Sequence, residues 1–116
     1  MVKREAEMIK EIREKMRGGE GEVEILHLFK QEELKGKARL IAKVRLKPGC
    51  SIGFHEHKEE EEIFYILSGQ GVVEDNGKTI AVGAGDVTLT GNGAGHSIAN
   101  TGSEPLEFMA VILLYK

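Results

Sequence analysis

Between Glu22 and Tyr115 the chain is cut into short segments of alternating polarity, most of them ended by glycine or another turn residue. Nothing else in it limits the fold so tightly. Successive side chains on a strand point to opposite faces, so a half-buried strand alternates apolar with polar. Val23 and Ile25, with His27 and Phe29 in phase, open the series, while Leu26 and Leu28 lend that stretch apolar character on both faces. Arg39 to Leu46 is cleaner, with Leu40, Ala42, Val44 and Leu46 on one face. Lys47-Pro48-Gly49 then turns the chain. Further strands are expected at Ser51–His57, Ile63–Leu67, Gly71–Asp75, Lys78–Val82, Asp86–Thr90, His96–Asn100 and Leu106–Leu114. Asn76-Gly77 is a type I′ hairpin signal, because both central residues of that turn take a positive φ. Fifteen glycines against two prolines supply the breaks. Strands at intervals of roughly eight to twelve residues, with turn signals between them, point to an all-β sandwich or barrel.

The N-terminal stretch has a different period. Val2, Ala6, Ile9, Ile12 and Met16 recur three or four residues apart, as on one face of a helix, and Gly18-Gly19 supplies a stop. We therefore expect an amphipathic α-helix within residues 1–20 and a β-barrel domain over 21–116. So short a helix is marginal alone in water, so its stripe has to be covered by the domain body or by a second subunit.

Composition excludes several classes of function. The formal net charge is −3 and the basic residues are dispersed among acids, which leaves no basic face for nucleic acid. No apolar run approaches the roughly eighteen residues of a membrane span. The segment MVKREAEMIK lacks the apolar centre of a secretory signal, and the single Cys50 cannot form an internal disulfide. A cytoplasmic location is expected.

His55 and His57 stand two residues apart, so on one strand they face the same way, together with Ser51 and Gly53. Lys58 to Glu61 reads as a turn, after which Glu62 opens an antiparallel strand opposite the histidines. His96 follows the Gly91–Gly95 turn and can reach the same interior. Three imidazoles and one carboxylate make a mixed nitrogen and oxygen donor set for a divalent first-row metal. Phe64, Ile66 and Ile98 share the ligands' parity and are expected to form an apolar pocket wall, with Ser51 and Asn100 completing the lining. Asn100 is expected to orient a turn or a ligand by hydrogen bonding. His27 reads as an ordinary packed or surface histidine. No catalytic acid or base stands out beyond the ligands, and His27 and the carboxylates Glu59 to Glu61 are weak candidates by position.

The spacing resembles that of the cupins. Gly49, His55, His57, Glu62 and Gly69 are separated by five, one, four and six residues, as in the first cupin motif. Gly85, Gly91, Gly93, His96 and Asn100, separated by five, one, two and three, look like the second, with Gly91 where the family usually has proline. Spacing to Gly69 and an inward face both favour Glu62 over Glu61. The resemblance implies a double-stranded β-helix, or jelly-roll, barrel in which His55, His57, Glu62 and His96 hold one divalent metal: Fe, Mn, Ni, Co or Zn. It also implies a small-molecule ligand and a homodimer. The expected function is a metal-dependent enzyme acting on a small oxygenated molecule, by dioxygenase-like or Lewis-acid chemistry. The alternative is a non-catalytic module that binds or senses a small ligand through its metal.

Overall fold

A computed structural model describes all 116 residues as ten strands with three single 3-10 turns and no α-helix. The turns lie at Glu5–Glu7, Met16–Gly18 and Gln31–Glu33. The strands are β1 (Ile9–Glu14), β2 (Glu22–His27), β3 (Ala38–Leu46), β4 (Ser51–Glu56), β5 (Glu60–Ser68), β6 (Gln70–Asp75), β7 (Lys78–Gly83), β8 (Val87–Gly91), β9 (Gly95–Asn100) and β10 (Leu106–Leu114). A six-stranded sheet runs β1-β2-β3-β10-β5-β8 and a four-stranded sheet runs β4-β9-β6-β7, with every pairing antiparallel. No helix is long and apolar enough to cross a membrane.

The expected N-terminal helix is absent, and β1 replaces it. Its six residues pair with β2 from Ile9 opposite His27 to Glu14 opposite Glu22. Without that ladder the outer edge of β2 would present unpaired N–H and C=O groups along the barrel wall. Satisfying those groups outweighs a modest helical preference in a segment too short to hold a helix alone. Only Met16 of the apolar stripe packs against the core, while Ile9 and Ile12 remain exposed.

The core fills the space between the two sheets. From the larger sheet come Val23 and Ile25, Ala42, Val44 and Leu46, Phe64 and Ile66, and Leu106, Phe108 and Ala110. Ile52, Val73, Val82 and Ile98 close it from the smaller sheet. Each buried Val, Leu, Ile or Phe contributes about 1.5–3 kcal/mol relative to an exposed one. The Asn76-Gly77 turn has φ of 50° and 78°, as a type I′ hairpin requires.

Gly18-Gly19, expected to end a helix, has another task. A Cβ on Gly19 would lie 2.3 Å from the Ser51 carbonyl oxygen, and one on Gly53 would lie 2.1 Å from the Arg17 carbonyl oxygen. The two glycines thus let residues 17–19 lie directly on the β4 backbone. Ser51 fixes the same contact, its Oγ accepting from Glu20 N–H and its own N–H donating to Glu20 O, both at 2.8 Å. Gly53→Ala should lower stability by about 1–3 kcal/mol, the usual effect of overpacking. A urea midpoint unchanged from wild type would show that this approach is not tight in solution.

Candidate metal centre

His55 on β4, His57 just after it, Glu62 on β5 and His96 on β9 converge inside the barrel. Their ligand atoms all lie within 4.8 Å of one another. The Nε2 of His96 is 3.0 Å from that of His57, 3.2 Å from that of His55 and 3.0 Å from Glu62 Oε1. Glu62 Oε1 is also 2.9 Å from His57 Nε2 and 3.9 Å from His55 Nε2. All but the partly exposed His55 are buried.

Hydrogen bonding on the far side of the rings sets what they offer the centre. His55 Nδ1 lies 2.8 Å from the Gly53 carbonyl, which can only accept, so Nδ1 carries the proton. His57 Nδ1 likewise donates to Glu60 Oε2 at 2.5 Å. In the neutral rings both Nε2 atoms therefore turn lone pairs toward the Glu62 carboxylate and His96. Lone pairs and a carboxylate gathered at one point repel unless a cation sits among them, either a proton or a metal ion. The donor set therefore suits a divalent transition metal.

The supports reach outward from the ligands. Arg39 on β3 donates to both oxygens of Glu60, from Nε at 2.7 Å and Nη2 at 2.8 Å. Those bonds lower the Glu60 carboxyl to about 2, against its burial and with help from His57. Glu60 thus stays ionised and orients the His57 ring, as carboxylates commonly do behind metal-binding imidazoles. Burial opposes charge on Glu62, but in the metal-free site protons carried on the ring nitrogens of His55, His57 and His96 that face it outweigh burial and hold the carboxyl far below its ordinary range. Burial likewise opposes charge on His57, yet Glu62 and Glu60 prevail and raise its pKa, whereas burial lowers that of His96.

These directions give a pH dependence. His57, with its folded value raised, stabilises the metal-free fold below the ordinary imidazole pKa of about 6.5. That contribution disappears as pH rises through the folded value. A metal must displace this proton, so the gain in Tm on adding Mn(II) should widen from about pH 5.5 to pH 8, while Glu60 and Glu62 stay ionised throughout. Paired melts with Mn(II) and with chelator would measure it. A gain independent of pH would mean that no proton is displaced.

The other expected pocket residues are distributed differently. Phe64 lines a cavity of about 230 Å³ beside His55, His57 and Glu62, and stacks on His96 at 4.7 Å with 11° between the ring planes. Ile66 and Ile98 lie in the core and are not among the cavity's lining residues. Ser51 anchors Glu20 as described, outside the cavity. The β4–β9 register shifts between Ile52 and His55, so alternation does not carry the inward face of His55 back to Ser51. Asn100 Nδ2 donates to the carbonyls of Leu46 and Glu104, and its Oδ1 accepts from Gly102 N–H, which places it in a turn.

Several cavity residues carry no local signal in the sequence. Glu11, Arg13, Met16 and Arg17 enter from the N-terminal segment, and His27 from the end of β2. His27 Nε2 lies 2.9 Å from Glu11 Oε1. Glu11 and Arg13 reach the cavity because β1 pairs with β2, Met16 and Arg17 because the turn after β1 rests on β4, and His27 because β2 pairs with β3.

The cupin-domain family model matches residues 42–112, which contain all four clustered residues. An oxalate-binding protein of Thermotoga maritima is 53% identical over 114 residues, 98% of this chain and 94% of that protein. A solved Thermotoga maritima structure, described as a predicted oxalate decarboxylase, superposes with a TM-score of 0.93 at 53% identity, covering 98% of this chain and 99% of that one. A polyketide cyclase from Streptomyces resistomycificus shares the fold at 22% identity, with a TM-score of 0.78 over 100% of this chain and 81% of its own. Motif spacing, two-sheet architecture and the family match over residues 42–112 agree: the chain belongs to the cupin family.

Proposed function

We propose that this protein binds one divalent transition metal through His55, His57, Glu62 and His96 and holds a small carboxylate of the oxalate type on it. The observation that carries this is the meeting of two tautomer-fixed Nε2 lone pairs with the Glu62 carboxylate and His96. A metal held by four protein donors keeps open positions, and when bound it supplies Lewis acidity to a chelating oxygen ligand. The similarity to an oxalate-binding protein supports the ligand class. Calorimetry with oxalate on Mn(II)-loaded and chelator-treated protein tests it. Binding is expected only in the loaded form. Equal binding without metal, or none with it, overturns the proposal.

One observation favours a second reading, turnover of the bound acid. Breaking the C–C bond of the oxalate dianion releases CO2 and leaves an electron pair on the remaining carboxylate carbon, which must take up one proton to give formate. The Glu11–His27 pair lines the same cavity and can supply that proton through solvent filling the space between. Formate release by the loaded protein, lost in His27→Gln, would support catalysis. Binding without formate leaves the first reading alone.

A homodimer belongs to the same proposal. Tyr65, Val87 and Leu89 are 46%, 64% and 61% exposed along β5 and the free edge strand β8, an apolar strip suited to a second copy.

A further inference from the structure

The segment before the matched cupin region brings charges to the cavity that the metal cluster does not use. Arg13, Arg17 and Arg39 line it, and Arg39 is already engaged by both oxygens of Glu60. Arg17 has no carboxylate partner within ion-pair distance, and Arg13 has only a distant one, its Nε 3.9 Å from Glu11 Oε2. The other Glu11 oxygen is taken by His27. Two guanidinium groups against one carboxylate leave this end of the cavity net positive.

Arg17 is held there under strain. Its φ of 55° and ψ of 29° are left-handed, and Lys15 two residues earlier has φ 49°. Such a conformation is disfavoured for a non-glycine residue and persists only where its surroundings dictate it. Here they do, through the Gly19 and Gly53 approach and through Lys15 N–H donating to Gly21 O at 2.9 Å.

The metal end and the arginine end are separated along the wall. Phe64 pairs with Ala110, Ala110 with Ala42, and Ala42 with His27, a row crossing β5, β10, β3 and β2. Three strand spacings of about 4.8 Å make this row roughly 14 Å from end to end. Its middle is two alanines, so the wall leaves room between the ends. The cavity volume of about 230 Å³ also exceeds what the two joined carboxyl groups of oxalate fill.

We infer that Arg13 and Arg17, beside the Glu11–His27 pair, form a second anion subsite that takes the far carboxylate of a diacid whose near end chelates the metal. The inference rests on the metal-chelation proposal above and extends its ligand class from oxalate to longer diacids with an oxygen next to the chelating carboxylate.

Calorimetry on the Mn(II)-loaded full chain separates the two. The probes are oxalate, 2-oxopentanoate and 2-oxoadipate, the last two differing only by the terminal carboxylate. 2-Oxoadipate should bind about tenfold tighter than 2-oxopentanoate, a difference of roughly 1.4 kcal/mol. In the double variant Arg13→Gln/Arg17→Gln that advantage should vanish, with oxalate affinity unchanged. Equal affinities in the wild type, or an advantage that survives the double variant, overturns the subsite while oxalate binding still upholds the metal proposal. Failure of all three probes to bind overturns both.

Discussion

His55→Ala should abolish stoichiometric metal binding and leave the barrel folded. The Nε2 of His55 is one of four donors around a single point, and no other imidazole or carboxylate in the cluster can replace it without leaving its own bond. Loss of a group that merely orients a ligand typically weakens metal affinity by about 10–100-fold, so loss of a ligand should exceed about 100-fold. The fold does not depend on it to the same degree. His55 lies outside the apolar core, and its Nδ1–H bond to Gly53 O contributes about 0.5–1.5 kcal/mol. Elemental analysis of protein purified without added metal, alongside a urea midpoint, reads both effects. One metal per chain retained by the variant would remove His55 from the site.

The strands were legible because their signals are local. Asn76-Gly77 can serve few purposes other than a tight hairpin, and β10 spans Leu106–Leu114 as the alternation of its residues implies. The two histidines and Glu62 were legible because a strand, a turn and a returning strand bring them together within eight residues. The N-terminal segment was not. Its apolar spacing fits a helix, and the competing demand comes from the free edge of β2, which no window over residues 1–20 contains. The same pairing hid the cavity roles of Glu11 and Arg13. Glu60 was hidden differently. It reads as one more acid in a polar turn, and only the packing of β3 against β10, and β10 against β5, brings Arg39 to it. Ser51 shows the limit of parity, since one irregularity between Ile52 and His55 uncouples the two ends of β4.

Phe64 is where core and site meet, and Phe64→Ala should have the largest effect on stability. The ring is 2% exposed, packs on Phe108 with centroids 4.7 Å apart and stacks on His96 at the same distance. Truncating a buried phenylalanine costs about 3–5 kcal/mol through lost transfer energy and the cavity left behind. Here the void would open beneath His96, so the imidazole loses the surface that fixes its plane and metal affinity should fall as well. Phe64→Leu separates the two effects. It keeps most of the volume, with a stability loss near 1.5 kcal/mol or less, but removes the flat face. If stacking orients His96, the leucine variant will melt close to wild type without metal yet gain less from added Mn(II). An undiminished gain would mean that the backbone of β9 alone sets the ring, and that the aromatic contact serves the core only.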